Sequence, residues 1–304
     1  MTRLRIATRA SALAQWQADH VADALRARAA LDGETVEIDK VLIETHADKR
    51  LDIPIDAMGG KGVFVKEIQA AVLDGRADLA VHSGKDLPAL TPAGLVIAAV
   101  PERADARDVL IGSTVAGLPH GARVASGSIR RRAQLASLRP DLVFEGLRGN
   151  IATRLDRASE FDAIVMAAAA IDRLGVDLGD RVHEHLAVDV MIPQVAQGAI
   201  VVECRDDLAD ALALLAGIEH ADSRIAVDAE RAYLAELGGD CDLPAGAHCV
   251  VVDGALRMES ILASPDGTSV LRDVRTFAVA ERFEAGAAAA RALLDGGGRA
   301  LLDR

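Results

Sequence analysis

The sequence predicts an α/β protein of more than one domain, closed by a small α+β segment. Short apolar strands alternate with amphipathic helices up to about residue 197. Most of these strands run directly into a turn bearing Gly, Ser or Arg. After about Asp222 the alternation gives way to a strand-rich pattern. Such alternation argues for parallel sheets covered by helices, and 304 residues are enough for two or three separate cores.

Leu4–Ala7 is a short strand, followed by Thr8-Arg9-Ala10-Ser11 and an amphipathic helix to Ala30 that carries Leu13, Trp16, Val21 and Leu25. Val36–Ile43 is a second strand. GGKG at 59–62 opens a helix over Val63–Leu73, which Gly75 stops. Leu79–Val81 is a buried-type strand that leads into His82-Ser83-Gly84-Lys85-Asp86. The charged, Pro-led PERADARDV from 101 reads as a crossover, after which the unit begins again. Arg123–Ala125 is a strand, SGS a turn and Ile129–Leu138 a helix stopped by Pro140. Leu142–Phe144, the turn LRGN, helix Ile151–Ala158 and strand Ala163–Met166 follow. GAIVVECR is an apolar strand that could return to the first domain. The last segment holds helix Ile225–Glu236, a turn around Cys241, three strand-like runs and a closing helix Ala280–Leu294.

Composition removes several functions. Only 2% of residues are aromatic against 51% hydrophobic, so the cores are built from Ala, Val, Leu and Ile. A net charge of −12 opposes a general nucleic-acid or acidic-membrane binder. Cys204, Cys241 and Cys249 make no disulfide framework and no CxxC spacing, which fits a reducing cytoplasm. No His/Glu cluster has metal-ligand spacing. MTRLRIATRA has no apolar signal region and no run is long enough to span a membrane, so the chain reads as cytoplasmic.

Local charge departs from this global sign. Residues 121–160 contain eight arginines against four acids. With one aromatic, Phe144, the segment lacks the stacking platforms of a nucleic-acid groove. A solvated basic helix face is the simplest account until position is considered. In an open α/β sheet, ligands bind beyond the carboxyl ends of the strands, and the arginines recur there. Arg9 follows the first strand, Arg130 and Arg131 open the helix after ASGS, Arg148 precedes Gly149-Asn150, and Arg154 lies one turn further. Guanidinium forks beside helix N-termini make carboxylate or phosphate clamps. Asp86 is a lone carboxylate at such a strand end, either a cap or ion-pair partner of Lys85 or a stabiliser of positive charge. Lys61 sits in a Gly-rich loop without P-loop spacing. His82 has no Ser or Cys partner and reads as core. Cys241 stands between Asp240 and Asp242, which discourage thiolate formation and leave a quiet loop thiol unless a nearby site presents an electrophile.

Taken together, RIATRASALAQWQ, GGKGVFVKEI, ADLAVHSGKDLP, SGSIRRRAQL, LRGNIATRL, IPQVAQGAIVVECR and the Cys241 turn resemble the porphobilinogen deaminase family in order and spacing, over nearly the whole chain. The resemblance implies a transferase that joins four porphobilinogen molecules head to tail into hydroxymethylbilane, releasing ammonia, in tetrapyrrole biosynthesis. It implies a dipyrromethane cofactor held as a thioether to Cys241, with Lys85, Ser128, Arg130 and Arg131 binding it. Asp86 is then the catalytic carboxylate, assisting loss of ammonia. Arg9, Ser11, Arg148, Arg154, Arg173 and Gln197 fall on substrate-binding positions, and Lys61 and Phe64 on a loop over the site. The implied fold is two type II periplasmic-binding-protein-like α/β domains plus a small C-terminal α+β domain. Its boundaries here are 1–101 with 198–219, 102–197, and 222–304. A monomer is implied, with porphobilinogen as the small-molecule substrate and hand-off of product to uroporphyrinogen III synthase as the further partner.

The sequence departs from the family pattern at several turns. ASGSIRR has Gly127 for a serine, and VHSGKD has Gly84 for a methionine. AQGA, AAAA at 167–170 and THAD at 45–48 carry Ala where glycine is usual, and the cofactor turn reads GDC. An alanine forced to positive φ would cost about 1 kcal/mol. A diverged paralogue that binds a pyrrole or linear tetrapyrrole without assembling it is the alternative these changes favour; the retained Asp86 and Cys241 oppose it. A solute-binding module would share the lobes but is usually exported.

Overall fold

The computed structural model describes residues 2–45, 62, 65–239 and 243–302. These divide into two compact units, 1–104 with 199–224 and 105–198 with 225–304.

The first unit is built on strands β1 (Thr2–Arg9), β2 (Val36–Ile43), β3 (Leu79–Ser83), β4 (Leu95–Ala99) and β10 (Ile200–Arg205), in the order β2-β1-β3-β10-β4. β1 pairs in parallel with β2 and β3, whereas β10 runs antiparallel to β3 and β4. Side chains alternate across the sheet, as a period of two requires. Leu79 and Val81 enter the core under helix α1 (Ala12–Leu31), while Ala80 faces helix α2 (Lys66–Leu73). α1 starts because the Ser11 hydroxyl accepts the Ala14 N–H. It buries Ala14, Gln17, Ala18, Val21, Leu25 and Ala29 as one stripe. α2 begins at Lys66, later than the sequence suggests; residues 63 and 64 of that expectation lie outside the described residues. Gly75, at φ +71°, ends it as expected. Helix α6 (Ala209–Ala216) covers the same face as α1.

The second sheet repeats the plan with β5 (Asp108–Ile111), β6 (Arg123–Ala125), β7 (Val143–Glu145), β8 (Ala163–Ala167) and β9 (His183–Leu186), ordered β7-β6-β8-β5-β9. Its inserted antiparallel strand is β5. Alternation again serves two cores: Leu110, Val124, Ala163 and Val165 on one face, Val109, Ala125, Ile164 and Met166 on the other. Helices α3 (Ile129–Leu138), α4 (Ile151–Asp156) and α5 (Ala168–Arg173) follow β6, β7 and β8. Helix α7 (Ala221–Glu236) enters this unit at Ile225, and the antiparallel meander β11 (Ala245–Val252), β12 (Ala255–Ala263) and β13 (Val270–Ala278) lies wholly within it. Tyr233 of α7 is fully buried and donates its hydroxyl to the Ile261 carbonyl at 2.7 Å. Helix α8 (Arg282–Leu293) packs closely on α7 at Gly286, where any side chain would strike the Ala229 carbonyl.

The α/β class, the repeat of the unit in a second sheet, the return strand after residue 198 and the α+β C-terminal part agree with the sequence reading. Two local expectations need correction. The sheets are mixed rather than parallel, because each takes one strand from outside its own βαβ run. The end of the segment read as a crossover, Asp108-Val109, is the start of β5. The acid and the preceding arginine disguise a strand of which only three residues are apolar.

Candidate active site

The first unit holds a cavity at the carboxyl ends of β1 and β3, the edge where parallel strands expose turns and helix N-termini. Arg9 ends β1, Ser11 caps α1, and Lys85 and Asp86 lie in the single 3-10 turn 84–86 that follows β3. All four line the cavity together with Gln17, Val65, Ile68, His82 and Ser83. The turn is tied down by Gly84, whose N–H reaches the Ala199 carbonyl at 2.9 Å. The structure thus brings Arg9, Ser11, Lys85 and Asp86 together at one strand edge.

The reading missed Gln17, a buried wall residue whose Nε2 has no hydrogen-bond partner among the described residues. Its signal was available, since it is a polar residue on the otherwise apolar stripe of α1. His82 is buried, as expected for core, but its neighbour is an acid. Its Nε2 lies 3.1 Å from Glu203, a fully buried carboxylate that also accepts from Gln69 at 2.9 Å. A buried acid needs such donors.

In the second unit Ser128 caps α3 by accepting the Arg131 N–H, and Arg130 and Arg131 occupy its first turn. Both guanidinium groups turn inward onto Asp108. Arg130 Nη2 reaches its Oδ2 at 2.8 Å; Arg131 Nε and Nη2 reach Oδ1 at 3.0 and 2.7 Å. Gln197 Nε2 joins at 2.8 Å. Asp108 reaches this edge because β5 is antiparallel, so its N-terminal end lies beside the carboxyl ends of its neighbours; Asp108 pairs with Ala167, the last residue of β8. Burial pushes the Asp108 carboxyl up, but the charges of Arg130 and Arg131 and bonds from Arg131 and Gln197 outweigh it and hold the group well below the usual carboxylate range. Burial lowers Arg130 despite the attraction of Asp108. Sequence reasoning missed Asp108, whose only signal is an acid directly before a short apolar run.

Arg148 follows β7, and Arg154 on α4 donates Nε to the Gly149 carbonyl at 2.8 Å. Arg173 ends α5 and donates to the Gly198 carbonyl at 2.6 Å; burial brings it down to about 10, with Asp172 opposing. Gly127, the serine of the family pattern, sits where an added Cβ would be 3.1 Å from the Leu147 carbonyl oxygen, so glycine suits the close approach of these two turns. Lys61, Phe64 and Cys241 lie outside the described residues.

Buried donors test whether the site suits a polycarboxylate. Arg130 Nε and Arg148 Nη1 are buried without a hydrogen-bond partner among the described residues. A dry guanidinium N–H is costly, and a carboxylate is the acceptor that best offsets it. Among the described residues no His/Cys/Asp/Glu group could hold a metal, and no helix is long and apolar enough to cross a membrane.

Comparison with known proteins points the same way. The family model described as porphobilinogen deaminase, dipyromethane cofactor binding domain, matches residues 4–213. The one described as porphobilinogen deaminase, C-terminal domain, matches 224–295. The chain is 44% identical to the porphobilinogen deaminase of Syntrophotalea carbinolica over 98% of this chain and 95% of that protein. It is 46% identical to that of Roseiflexus castenholzii over 98% of each. Among solved structures, lipoprotein Tp32 of Treponema pallidum aligns at 11% identity with a TM-score of 0.43, over 71% of this chain and 90% of that one.

Proposed function

Because the chain belongs to the porphobilinogen deaminase family, we propose that it is a transferase condensing four porphobilinogen molecules head to tail into hydroxymethylbilane. Ammonia leaves at each step, and the product feeds tetrapyrrole biosynthesis. The reading includes a dipyrromethane attached through a thioether to Cys241, a cytoplasmic monomer, and release of product to uroporphyrinogen III synthase. It also takes the boundaries 1–101 with 198–219, 102–197 and 222–304 as the three working domains.

The observation that carries the reading is the cavity that unites Asp86 with Arg9, Ser11 and Lys85. Porphobilinogen carries two carboxylates and an aminomethyl group, so binding needs guanidinium forks and departure of ammonia needs a nearby anion. Arg9 offers the fork and Ser11 a hydroxyl, while Asp86 lies half-buried beside them, where a carboxylate stabilises positive charge on a pyrrole more strongly than in water. Lys85, adjacent in the same turn, supplies a further cation for a carboxylate. In the second unit Arg130 and Arg131 would hold carboxylates of the dipyrromethane, with Ser128 at the helix start. Arg148, Arg154 and Arg173 would take those of incoming and extended pyrroles. When bound, the dipyrromethane supplies the nucleophilic pyrrole carbon to which the first substrate is joined. Gln197 stands between the two units' segments in sequence, and its amide helps fix the arginine pair.

Intact-mass analysis of protein from porphobilinogen-making cells tests this directly. A dipyrromethane adduct mapped to Cys241, absent from Cys241→Ser, together with hydroxymethylbilane formation is the expected result. A bare wild-type chain that stays inactive after incubation with porphobilinogen would leave the non-catalytic binding paralogue.

A further inference from the structure

We propose that Asp108 is the positioning residue of the cofactor site: its buried carboxylate locks Arg130 and Arg131 in one arrangement and ties both to Gln197, so that the dipyrromethane meets pre-aligned donors. This rests on the function proposed above and assigns a role to a residue outside the motifs that led to it.

Asp108 is fully buried and receives four hydrogen bonds, from Arg130 Nη2, Arg131 Nε, Arg131 Nη2 and Gln197 Nε2, at 2.7–3.0 Å. Three of these end on Oδ1 and one on Oδ2, so both oxygens are engaged. Each arginine has a second anchor: Arg130 Nη1 donates to the Ile192 carbonyl at 2.6 Å and Arg131 Nη1 to the Val165 carbonyl at 3.1 Å. Two adjacent guanidinium groups would otherwise repel and swing apart, and neither rotation is open while Asp108 spans them. Two cations on one anion leave the cluster with a surplus positive charge, and Arg130 Nε has no hydrogen-bond partner among the described residues. The node is balanced for structure but incomplete as an electrostatic unit, and an anionic ligand completes it. Fixing donors in advance lowers the ordering cost of binding.

Gln197 extends the consequence. It lies next to Gly198, whose carbonyl holds Arg173, and next to Ala196 in the connecting segment. The same carboxylate that orients the cofactor arginines therefore also sets the position of this segment.

The test uses Asp108→Asn and Asp108→Glu beside the wild type, all purified from porphobilinogen-making cells. Intact mass gives the loaded fraction, and a thermal melt reports the fold independently. Asp108→Asn should fall in loading by about 10-fold or more, as loss of a supporting partner does at other preorganised sites. Asp108→Glu keeps the charge but moves it by one methylene, so it should melt near the wild type and still load several-fold less. Wild-type loading in folded Asp108→Asn overturns the proposal, and Asp108→Glu decides in the same way if the asparagine variant does not fold. A lower melting temperature with loading per folded molecule unchanged also overturns it, marking a salt bridge for stability alone. An unloaded wild type would sink the proposed function and this inference with it; equal loading of wild type and variant sinks the inference alone.

Discussion

Glu230 Oε2 accepts the backbone N–H of Ala196 at 2.6 Å, and Ala196 sits at φ 56°. The other carboxylate oxygen of Glu230, itself fully buried, takes the Cys249 N–H at 2.8 Å. The left-handed alanine is thus over-determined by helix α7 on one side and by the neighbouring Gln197–Asp108 bond on the other. This is the one described position where the Gly-to-Ala departures of the sequence meet positive φ. Ala170, another, lies within helix α5, where alanine is the favoured residue.

Replacing Ala196 with glycine should therefore stabilise the fold. Relief of left-handed strain is worth about 1–2 kcal/mol, and the added freedom of the unfolded chain offsets about 0.4–1 kcal/mol. A net gain of about 0.5–1 kcal/mol should appear in urea melts, and a loss would show that the surroundings require the Cβ.

Asp86→Asn should leave folding intact and nearly abolish turnover, since a neutral amide cannot stabilise a cation as a carboxylate does. The loss should fall on kcat with little change in KM. Wild-type turnover would remove Asp86 from the catalytic role.

The arginines should separate by role. Arg130→Leu or Arg131→Leu should yield protein without the dipyrromethane. Arg9, Arg148, Arg154 and Arg173 variants should load but stall, with partly extended complexes visible by native mass spectrometry. Lysine should rescue only in part, because the bidentate fork is lost. Identical ladders across all variants would contradict this division.

Thiol titration should count the cofactor bond. The sequence has three cysteines, of which Cys204 and Cys249 are buried thiols. Burial, then the charges of Asp206, Asp207 and Glu203, pushes Cys204 up to about 11, so it should resist alkylation at pH 8 in the folded protein. Denatured loaded enzyme should expose these two thiols; a third would show that Cys241 is unmodified.

Acid titration should reveal Asp108. Its folded-state pKa is depressed, so its stabilising contribution is complete above the unfolded carboxyl value of about 4. It is lost as pH falls below that value towards the folded one. The gap in melting temperature between wild type and Asp108→Asn should stay constant from about pH 8 to 5 and narrow below about pH 4. A gap that widens in acid would reverse the assignment.

Much of the fold was legible because period-two strands, capped helices and glycine stops are local signals. Ser11, Ser128 and Gly75 each do what their residue type predicts. The return strand β10 was visible as an apolar run, but its antiparallel sense was not, since pairing direction is set by distant partners. β5 was hidden behind Arg107 and Asp108, and with it the anion on which the two arginines converge.

By itself the sequence determined that Arg9, Asp86 and Arg130 lie at or just after the ends of strands, because strand periodicity and turn chemistry act over a few residues. Its motifs, in register, determined the family. Only the tertiary structure decided that Arg130 and Arg131 point inward, that Asp108 from an inserted strand neutralises one of them, and that Gln17 completes the wall beside Asp86. Those relations join residues 20 to 90 positions apart. Burial and Coulomb attraction select them after the sheets have formed, and no local pattern records that selection.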